Sequence, residues 1–208
     1  MLEVRKLCKS YHGRRVLHPT SFVLAEGQCL GIAGNNGSGK STLLRLLAQI
    51  QQPDSGDIRF CGESVLGNKQ FLRHCLGYVP QSNELAFNLT VSQQLSLWQS
   101  ACGLGAPLSE EIIDLLGLEP LLPRRIQDLS GGMQRRVSIA MALLSQPKIL
   151  IMDEVTTGLD QSYCPKLLDW LEGFLQRQGI LVWCSHHPEE LKRLCGSVLY
   201  LTDGQPSF

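Results

Sequence analysis

The chain has 208 residues, 19 acidic and 19 basic side chains, and a hydrophobic fraction of 43%. This composition is typical of a folded globular protein and excludes a disordered chain. A net charge of zero does not favour nucleic-acid binding, which normally needs a basic domain, so no nucleic-acid partner is expected. No run reaches the ~18 apolar residues of a membrane helix, and the charged N-terminus does not resemble a signal peptide. Any membrane span must therefore come from another chain.

The eight cysteines are scattered along the chain, without a C-x-x-C pair or a zinc-ligand spacing. Several of them, such as Cys29 and Cys184, lie inside apolar, strand-like runs. We therefore expect free thiols that pack as small hydrophobic side chains.

Strands and helices are predicted to alternate along the chain, which favours a mostly parallel sheet with helices on both faces. Strands are predicted at residues 2–7, 16–24, 28–33, 58–61, 76–79, 148–152, 180–184 and 198–202. Helices are predicted at residues 42–50, 132–145 and 163–177 and from Pro188, with a turn at 53–56.

The segment 84–128 is richer in Leu, Gln and Ser, and helical spacing dominates it. Ser109 is a candidate N-cap and Gly117 a candidate helix stop. We expect one domain over residues 1–208, in which this segment forms a small helical lobe inserted in an α/β core.

A glycine-rich loop follows the third predicted strand and fits the pattern G-x-x-x-x-G-K-[ST] at every fixed position. Its backbone N–H groups and the N-terminus of the next helix favour a bound phosphate, and the lysine supplies a positive charge. The serine hydroxyl is a candidate Mg²⁺ ligand. The loop consists of Gly34, Asn35, Asn36, Gly37, Ser38, Gly39, Lys40 and Ser41.

An apolar strand ending in two acidic residues supplies the second element of a P-loop enzyme. Asp153 is the candidate Mg²⁺ ligand, and Glu154 is the candidate general base that polarises the attacking water. A GTPase would need an N-K-x-D sequence, and the nearest match, residues 68–71, lacks the aspartate.

The sequence Leu-Ser-Gly-Gly-Met at residues 129–133, some twenty residues before Asp153, resembles the signature motif of the ABC ATPases. With it, the whole chain resembles the ATP-binding subunit of an ABC transporter, an α/β P-loop NTPase with a mostly parallel sheet and an inserted helical lobe. Met133 stands where the family usually has Gln, which resembles an exporter and drug-resistance branch. Val155 stands where proline is usual.

The resemblance implies a role for further residues. Tyr11 would stack on adenine, Gln81 would sense Mg²⁺ and a membrane partner, Asp160 would lie at a dimer interface, and His186 would act as the switch histidine. The implied ATP site comprises Tyr11, Gly34, Asn35, Asn36, Gly37, Ser38, Gly39, Lys40, Ser41, Thr42 and Gln81. The implied catalytic residues are Lys40, Glu154 and His186, and the Mg²⁺ ligands are Ser41, Gln81 and Asp153.

The resemblance also implies partners. The signature residues Leu129, Ser130, Gly131, Gly132 and Met133 would cap the ATP of a second ATPase subunit, in a homodimer or a heterodimer. ATP and Mg²⁺ are the expected cofactors, and integral-membrane transporter subunits the expected partners, on the cytoplasmic face of the cell membrane.

Arg135 and Arg136 would either add a positive field or be exposed helix surface. Phe87, Leu89 and Trp98 are candidates for the membrane interface.

Two alternatives lead away from transport. Soluble ABC ATPases of translation carry two such domains, whereas one is predicted here. Those of DNA repair carry a long coiled coil between the phosphate loop and the signature, and this chain has no heptad repeat in that interval. A membrane-linked ABC module that transmits force without moving a substrate stays open as an alternative. The transported substrate lies outside what these residues determine.

Overall fold

A computed structural model describes residues 1–104 and 109–208 of the chain. Within these residues the strands form a six-stranded and a four-stranded sheet. The strands are β1 (Leu2–Tyr11), β2 (Arg14–Leu24), β3 (Cys29–Gly34), β4 (Ser55–Phe60), β5 (Glu63–Ser64), β6 (Leu76–Val79), β7 (Ile149–Asp153), β8 (Ile180–Cys184), β9 (Ser197–Thr202) and β10 (Gln205–Ser207). The helices are α1 (Lys40–Leu47), α2 (Lys69–His74), α3 (Val91–Cys102), α4 (Glu110–Leu116), α5 (Gly131–Leu143), α6 (Cys164–Gln176) and α7 (Pro188–Leu194).

The six-stranded sheet has the order β10-β9-β3-β8-β7-β6. Neighbouring strands from β9 to β6 pair in parallel, and β10 pairs with β9 antiparallel. The second sheet, β2-β1-β4-β5, is wholly antiparallel. Because parallel strands point the same way, β3, β7 and β8 all end at one edge, and ligands of such sheets bind at that edge.

The core lies on both faces of the parallel sheet, as strand alternation requires. On one face Ile149 and Ile151 of β7 pack with α1 and the antiparallel sheet. On the other face Leu150 and Met152 pack with α5 and α6. Strands buried on both sides therefore read as continuous apolar runs, which is why they could be located from the sequence.

The helical segment predicted at 84–128 contains α3, α4 and two 3₁₀ turns, Glu119–Leu121 and Ile126–Asp128. The predicted N-cap is confirmed, since Ser109 accepts a hydrogen bond from the Ile112 backbone N–H, and Gly117 ends α4 with φ 53°. Residues 105–108 of the predicted lobe lie outside the described part of the chain.

Several boundaries differ from the prediction. Helix α1 ends at Leu47 because Gln49 has φ 54°, so Ile50, the last residue of the predicted helix, lies outside it and is 60% exposed. The predicted turn at 53–56 is partly strand, since β4 begins at Ser55. Helix α2 and strands β5 and β10 were not predicted, because all three are short and lack apolar periodicity. No helix in the described residues is long and apolar enough to cross a membrane.

Candidate active site

The loop at residues 34–41 joins β3 to α1 at the carboxyl edge of the parallel sheet. Its first glycine, Gly34, has φ +146°, and a Cβ there would lie 2.3 Å from the carbonyl oxygen of Leu201. At Gly39, with φ +101°, a Cβ would lie 2.7 Å from the carbonyl oxygen of Val16. These two positions require glycine on both conformational and steric grounds, so the loop is tightly fixed against β2 and β9.

The side chain of Lys40 is folded into this loop and is only 7% exposed. Its Nζ donates hydrogen bonds to the carbonyl oxygens of Gly34, at 2.8 Å, and Asn35, at 3.1 Å. Among the residues described, no carboxylate forms an ion pair with it. A buried cation with neutral partners only is suited to receive an anion such as phosphate.

Two cavities border the loop. One, of about 370 Å³, also borders the candidate base and the glutamine predicted to sense Mg²⁺, and is lined by Val16, Asn36, Gly37, Gly39, Lys40, Ser41, Thr42, Gln81 and Glu154. The other, of about 490 Å³, is lined by Arg14, Arg15, Val16, Asn35, Asn36, Gly37, Ser38, Thr202 and Asp203. The loop residues predicted from the motif are thus brought together with Thr42, Gln81 and Glu154.

Val16 lines both cavities, and sequence reasoning missed it. The predicted adenine platform, Tyr11, lines neither cavity. Its hydroxyl donates a hydrogen bond to the side chain of Gln51, and Lys9 Nζ lies 5.8 Å from its ring centroid. Val16 belongs to no sequence motif, so the sequence gives no signal for it. The structure identifies it as a site residue through its place in both cavities and its carbonyl oxygen next to Gly39.

Asp153, at the end of β7, is buried, and its Oδ1 has no hydrogen-bond partner among the residues that the structure describes. Burial raises the pKa of this carboxyl, and a hydrogen bond with the Ser41 side chain opposes the rise. An unpaired buried carboxylate oxygen beside a hydroxyl fits a hard cation that prefers oxygen ligands, such as Mg²⁺. The nearby thiol of Cys184 does not fit that role, because burial raises its pKa well above the ordinary value and keeps it protonated.

Glu154 occupies an unusual backbone position, with φ 49° in the left-handed region. Its carboxylate is 11% exposed and lies between two candidate residues from other loops. Gln81 Nε2 donates to Oε2 at 3.0 Å, and His186 Nε2 lies 2.8 Å from Oε1. Gln81 and His186, which are far apart in sequence, therefore meet at the Glu154 carboxylate beside the phosphate loop. This geometry is suited to orienting a water molecule.

Arg135, on α5, is buried, so the sequence-based alternative of exposed helix surface is wrong for it. Its guanidinium donates to the carbonyl oxygens of Asp153, at 2.8 Å, and Val155, at 3.1 Å, on either side of Glu154. It also donates to the carbonyl of Gln81, at 3.2 Å. Burial lowers the pKa of Arg135 to about 10, so it stays charged at neutral pH.

The predicted signature residues form the N-terminus of α5. Ser130 caps this helix by accepting a hydrogen bond from the Met133 N–H at 3.3 Å, and both Ser130 and Gly131 are exposed. Gly132 is buried, and a Cβ added there would lie 2.8 Å from Asp160 Oδ1. The buried Leu129 packs in the core, and Met133 packs partly against it.

Arg136 is buried too and connects the signature helix with two other segments, so exposed helix surface is wrong for it as well. Its Nε lies 3.7 Å from Asp160 Oδ2, and its guanidinium stacks 4.3 Å from the Tyr163 ring centroid. It also donates to the Leu116 carbonyl at 3.0 Å. The structure therefore places Asp160 beside α5, the helix that begins with the predicted signature.

Known proteins are similar to this chain over nearly all of its length. A family model described as ABC transporter matches residues 17–157. The Nod factor export ATP-binding protein I of Paraburkholderia xenovorans (strain LB400) is 36% identical over 98% of this chain and 68% of its own length. The protein of the same name from Ralstonia nicotianae (strain ATCC BAA-1114 / GMI1000) is 34% identical over 99% of this chain and 65% of its own length. The chain thus spans about two thirds of each relative.

Solved structures give the same picture of the fold. The ATP binding subunit of an ABC transporter superposes with a TM-score of 0.88 and 29% identity, covering 100% of this chain and 88% of the other. A dimeric bacterial ABC transporter cassette superposes with a TM-score of 0.88 and 25% identity, covering 100% of this chain and 97% of the other. The α/β P-loop fold predicted from the sequence is confirmed.

Proposed function

This chain belongs to the ABC transporter family as an ATP-binding subunit that hydrolyses ATP, and we propose how its residues divide that work. ATP binds with its phosphates in the loop at 34–41, and Glu154 is the general base for hydrolysis. The observation that carries this assignment is the Glu154 carboxylate, held between Gln81 and His186 at the cavity that Lys40 and Ser41 also line.

Phosphate binding depends on the fixed backbone of the loop at 34–41 and on one buried cation, Lys40. The loop presents its N–H groups, and the N-terminus of α1 adds its partial positive charge. Lys40 exchanges its carbonyl partners for phosphate oxygens, which are stronger acceptors because they are charged. Ser41, Asp153 and Gln81 would hold Mg²⁺, which when bound offsets the charge of the phosphates. Val16 packs beside the nucleotide, since it lines both loop cavities.

Hydrolysis transfers the γ-phosphoryl group of ATP to water and gives ADP and phosphate. Glu154 accepts a proton from the attacking water, and the hydrogen bond from Gln81 together with the 2.8 Å contact with His186 Nε2 fixes the direction of its carboxylate. Because the phosphoryl transition state needs in-line attack, this fixed orientation matters more than the strength of the base.

A second ATPase subunit completes the site. The exposed N-terminus of α5, with Ser130 and Gly131, is a helix-terminal anion site of the kind that binds phosphate. A solved relative of the same fold is a dimeric cassette. We infer that the signature residues of one chain cap the ATP held by the other, with Asp160 at the interface.

The membrane partner would dock beside the helical segment, on the cytoplasmic face of the membrane. Phe87 and Trp98 are 55% and 41% exposed, and Trp98 lines a cavity of about 360 Å³ together with Ile50, Arg73 and Glu84. Exposed aromatic side chains around a cavity are typical of protein interfaces. The relatives are named for export, and export is the direction we propose for the coupled transport.

The substitution Glu154→Gln tests the assignment of the base. The amide keeps the size of the side chain but cannot take a proton, so we expect ATP binding to be retained and hydrolysis to fall by about 100-fold or more. Glu63→Gln, at an exposed position on β5, is the matched control. Titration calorimetry with ATP and Mg²⁺ and a phosphate-release assay give the two readouts. Hydrolysis at the wild-type rate in Glu154→Gln would overturn the assignment.

A further inference from the structure

A second acidic side chain joins the same two loops that carry Glu154 and His186. Glu190, in the first turn of α7, is half-buried, and its Oε2 accepts two hydrogen bonds. Ser185 Oγ donates at 2.6 Å, and Thr156 Oγ1 donates at 3.1 Å. Both donor residues are buried, so these bonds are shielded from competing water.

Each donor lies next to a residue of the hydrolytic site. Thr156 follows Glu154 by two positions, and Ser185 directly precedes His186. Ser185 Oγ also accepts the backbone N–H of His187 at 3.0 Å, so the hydroxyl fixes the backbone on both sides of His186. A shift of Glu190 would therefore move both loops.

The loops need such a connection because sheet pairing ends where they begin. The ladder between β7 and β8 ends at the pair Asp153–Cys184, and one further bond joins the Glu154 N–H to the Cys184 carbonyl at 2.9 Å. Glu154 itself has the unfavourable φ of 49°, which persists only when surrounding contacts hold it. The bridge through Glu190 is such a contact.

We infer that Glu190 is a positioning residue for ATP hydrolysis, holding the loop of Glu154 and the loop of His186 at the separation that their 2.8 Å contact requires. The inference rests on the proposed roles of these two residues. Glu190 reaches the reaction only through the hydroxyls of Thr156 and Ser185, and it is not itself a catalytic residue.

The neighbouring Glu189 provides a matched comparison. It shares the first turn of α7 and hence the favourable interaction of an acidic group with the helix N-terminus. It is exposed, and within residues 1–104 and 109–208 it forms no hydrogen bond or ion pair. A purely helix-stabilising role would make the two glutamates equivalent, whereas a positioning role belongs to Glu190 alone.

Steady-state ATP hydrolysis by Glu190→Ala, Glu190→Gln and Glu189→Ala tests the inference. We expect Glu190→Ala to lower kcat by about ten-fold or more with KM for ATP changed by less than about two-fold, because loop displacement misplaces the base without touching the phosphate loop. Glu190→Gln keeps an oxygen that can accept both hydroxyls, so it is expected to retain most of kcat. Glu189→Ala is expected to match the wild type.

A wild-type kcat in Glu190→Ala, or equal losses in the Glu189 and Glu190 variants, would overturn the inference. If Glu190→Ala does not fold cooperatively, Thr156→Val and Ser185→Ala carry the test. Each removes one of the two donors to Glu190, and each is expected to lower kcat relative to the wild type with KM for ATP little changed. A wild-type kcat in both donor variants also overturns the inference.

Glu154→Gln, measured alongside, separates this inference from the proposed function. An inactive Glu154→Gln with a fully active Glu190→Ala means that the positioning role alone is wrong. A fully active Glu154→Gln means that the proposed base is wrong, whatever the Glu190 variants do.

Discussion

Two helix N-termini in this chain have small residues suited to phosphate, and they differ in how complete they are. At α1 the loop is fixed on both sides, with Gly34 and Gly39 against backbone carbonyls and Lys40 buried inside. At α5, Ser130 and Gly131 are exposed, and a Cβ on Gly131 would meet no atom of the described residues within 4 Å. The first site is built within one chain, while the second presents its donors outward, as a site shared with another molecule would.

The two regions are nevertheless connected. Arg135 extends from the signature helix to the carbonyl oxygens on both sides of Glu154 and to Gln81. If a partner's nucleotide displaces α5 in the proposed dimer, the displacement would therefore be transmitted to the Glu154 carboxylate, the proposed base, of the same chain. Coupling of this kind needs contiguous packed contacts, and the guanidinium supplies them.

Of the variants that test this comparison, we expect the largest effect from a side chain added inside the enclosed loop at α1. Gly34→Ala places a methyl group 2.3 Å from the Leu201 carbonyl, so we expect a loss of about 3 kcal/mol in the free energy of unfolding and undetectable ATP binding. Gly37→Ala is the control, since a Cβ there would meet none of the described atoms within 4 Å, although the φ of +79° is unfavourable for alanine. Urea unfolding and ATP titration measure both. Equal effects of the two substitutions would show that the loop is not closely packed.

A negative charge added at the exposed N-terminus of α5 is expected to change the function of the signature without changing the phosphate loop at α1. Ser130→Asp keeps an N-cap acceptor but brings a negative charge towards the phosphate of a partner chain. We expect unchanged stability and ATP binding by the single chain, with hydrolysis lowered by about 100-fold. Gln127→Asp, three residues earlier and exposed, is the control. Hydrolysis at the wild-type rate in Ser130→Asp would mean that the signature does not meet a nucleotide.

The connection between the regions is tested by Arg135→Lys. Lysine keeps the charge but cannot form the forked set of hydrogen bonds, so we expect the free energy of unfolding to fall by about 2 kcal/mol and kcat to fall several-fold. Arg125→Lys, at an exposed position, is expected to have no effect. Chemical unfolding and ATPase assays give both values. If Arg135→Lys behaves like its control, the guanidinium contacts do not link the two regions.

The parallel sheet and the loop could be predicted because their signals are local. Strands such as β7 and β8 are buried on both faces and read as apolar runs, and the loop has fixed residues at fixed spacing. Val16 and Glu190 could not be predicted in this way, since each acts through contacts with residues that are distant in sequence. Exposed helix surface was one of two alternatives for Arg135 and Arg136, because arginine is usually exposed, and only the tertiary structure shows which carbonyl oxygens they bind.

The molecular mass of Glu154→Gln in solution, measured by light scattering with and without ATP, tests most directly whether a second chain completes the site. ATP should double the mass from that of one 23.0 kDa chain, because nucleotide that is not hydrolysed stays between the two subunits. The double variant Glu154→Gln with Ser130→Asp should bind ATP and keep the mass of one chain. A single-chain mass for Glu154→Gln saturated with ATP, or a dimer unaffected by Ser130→Asp, would contradict the account.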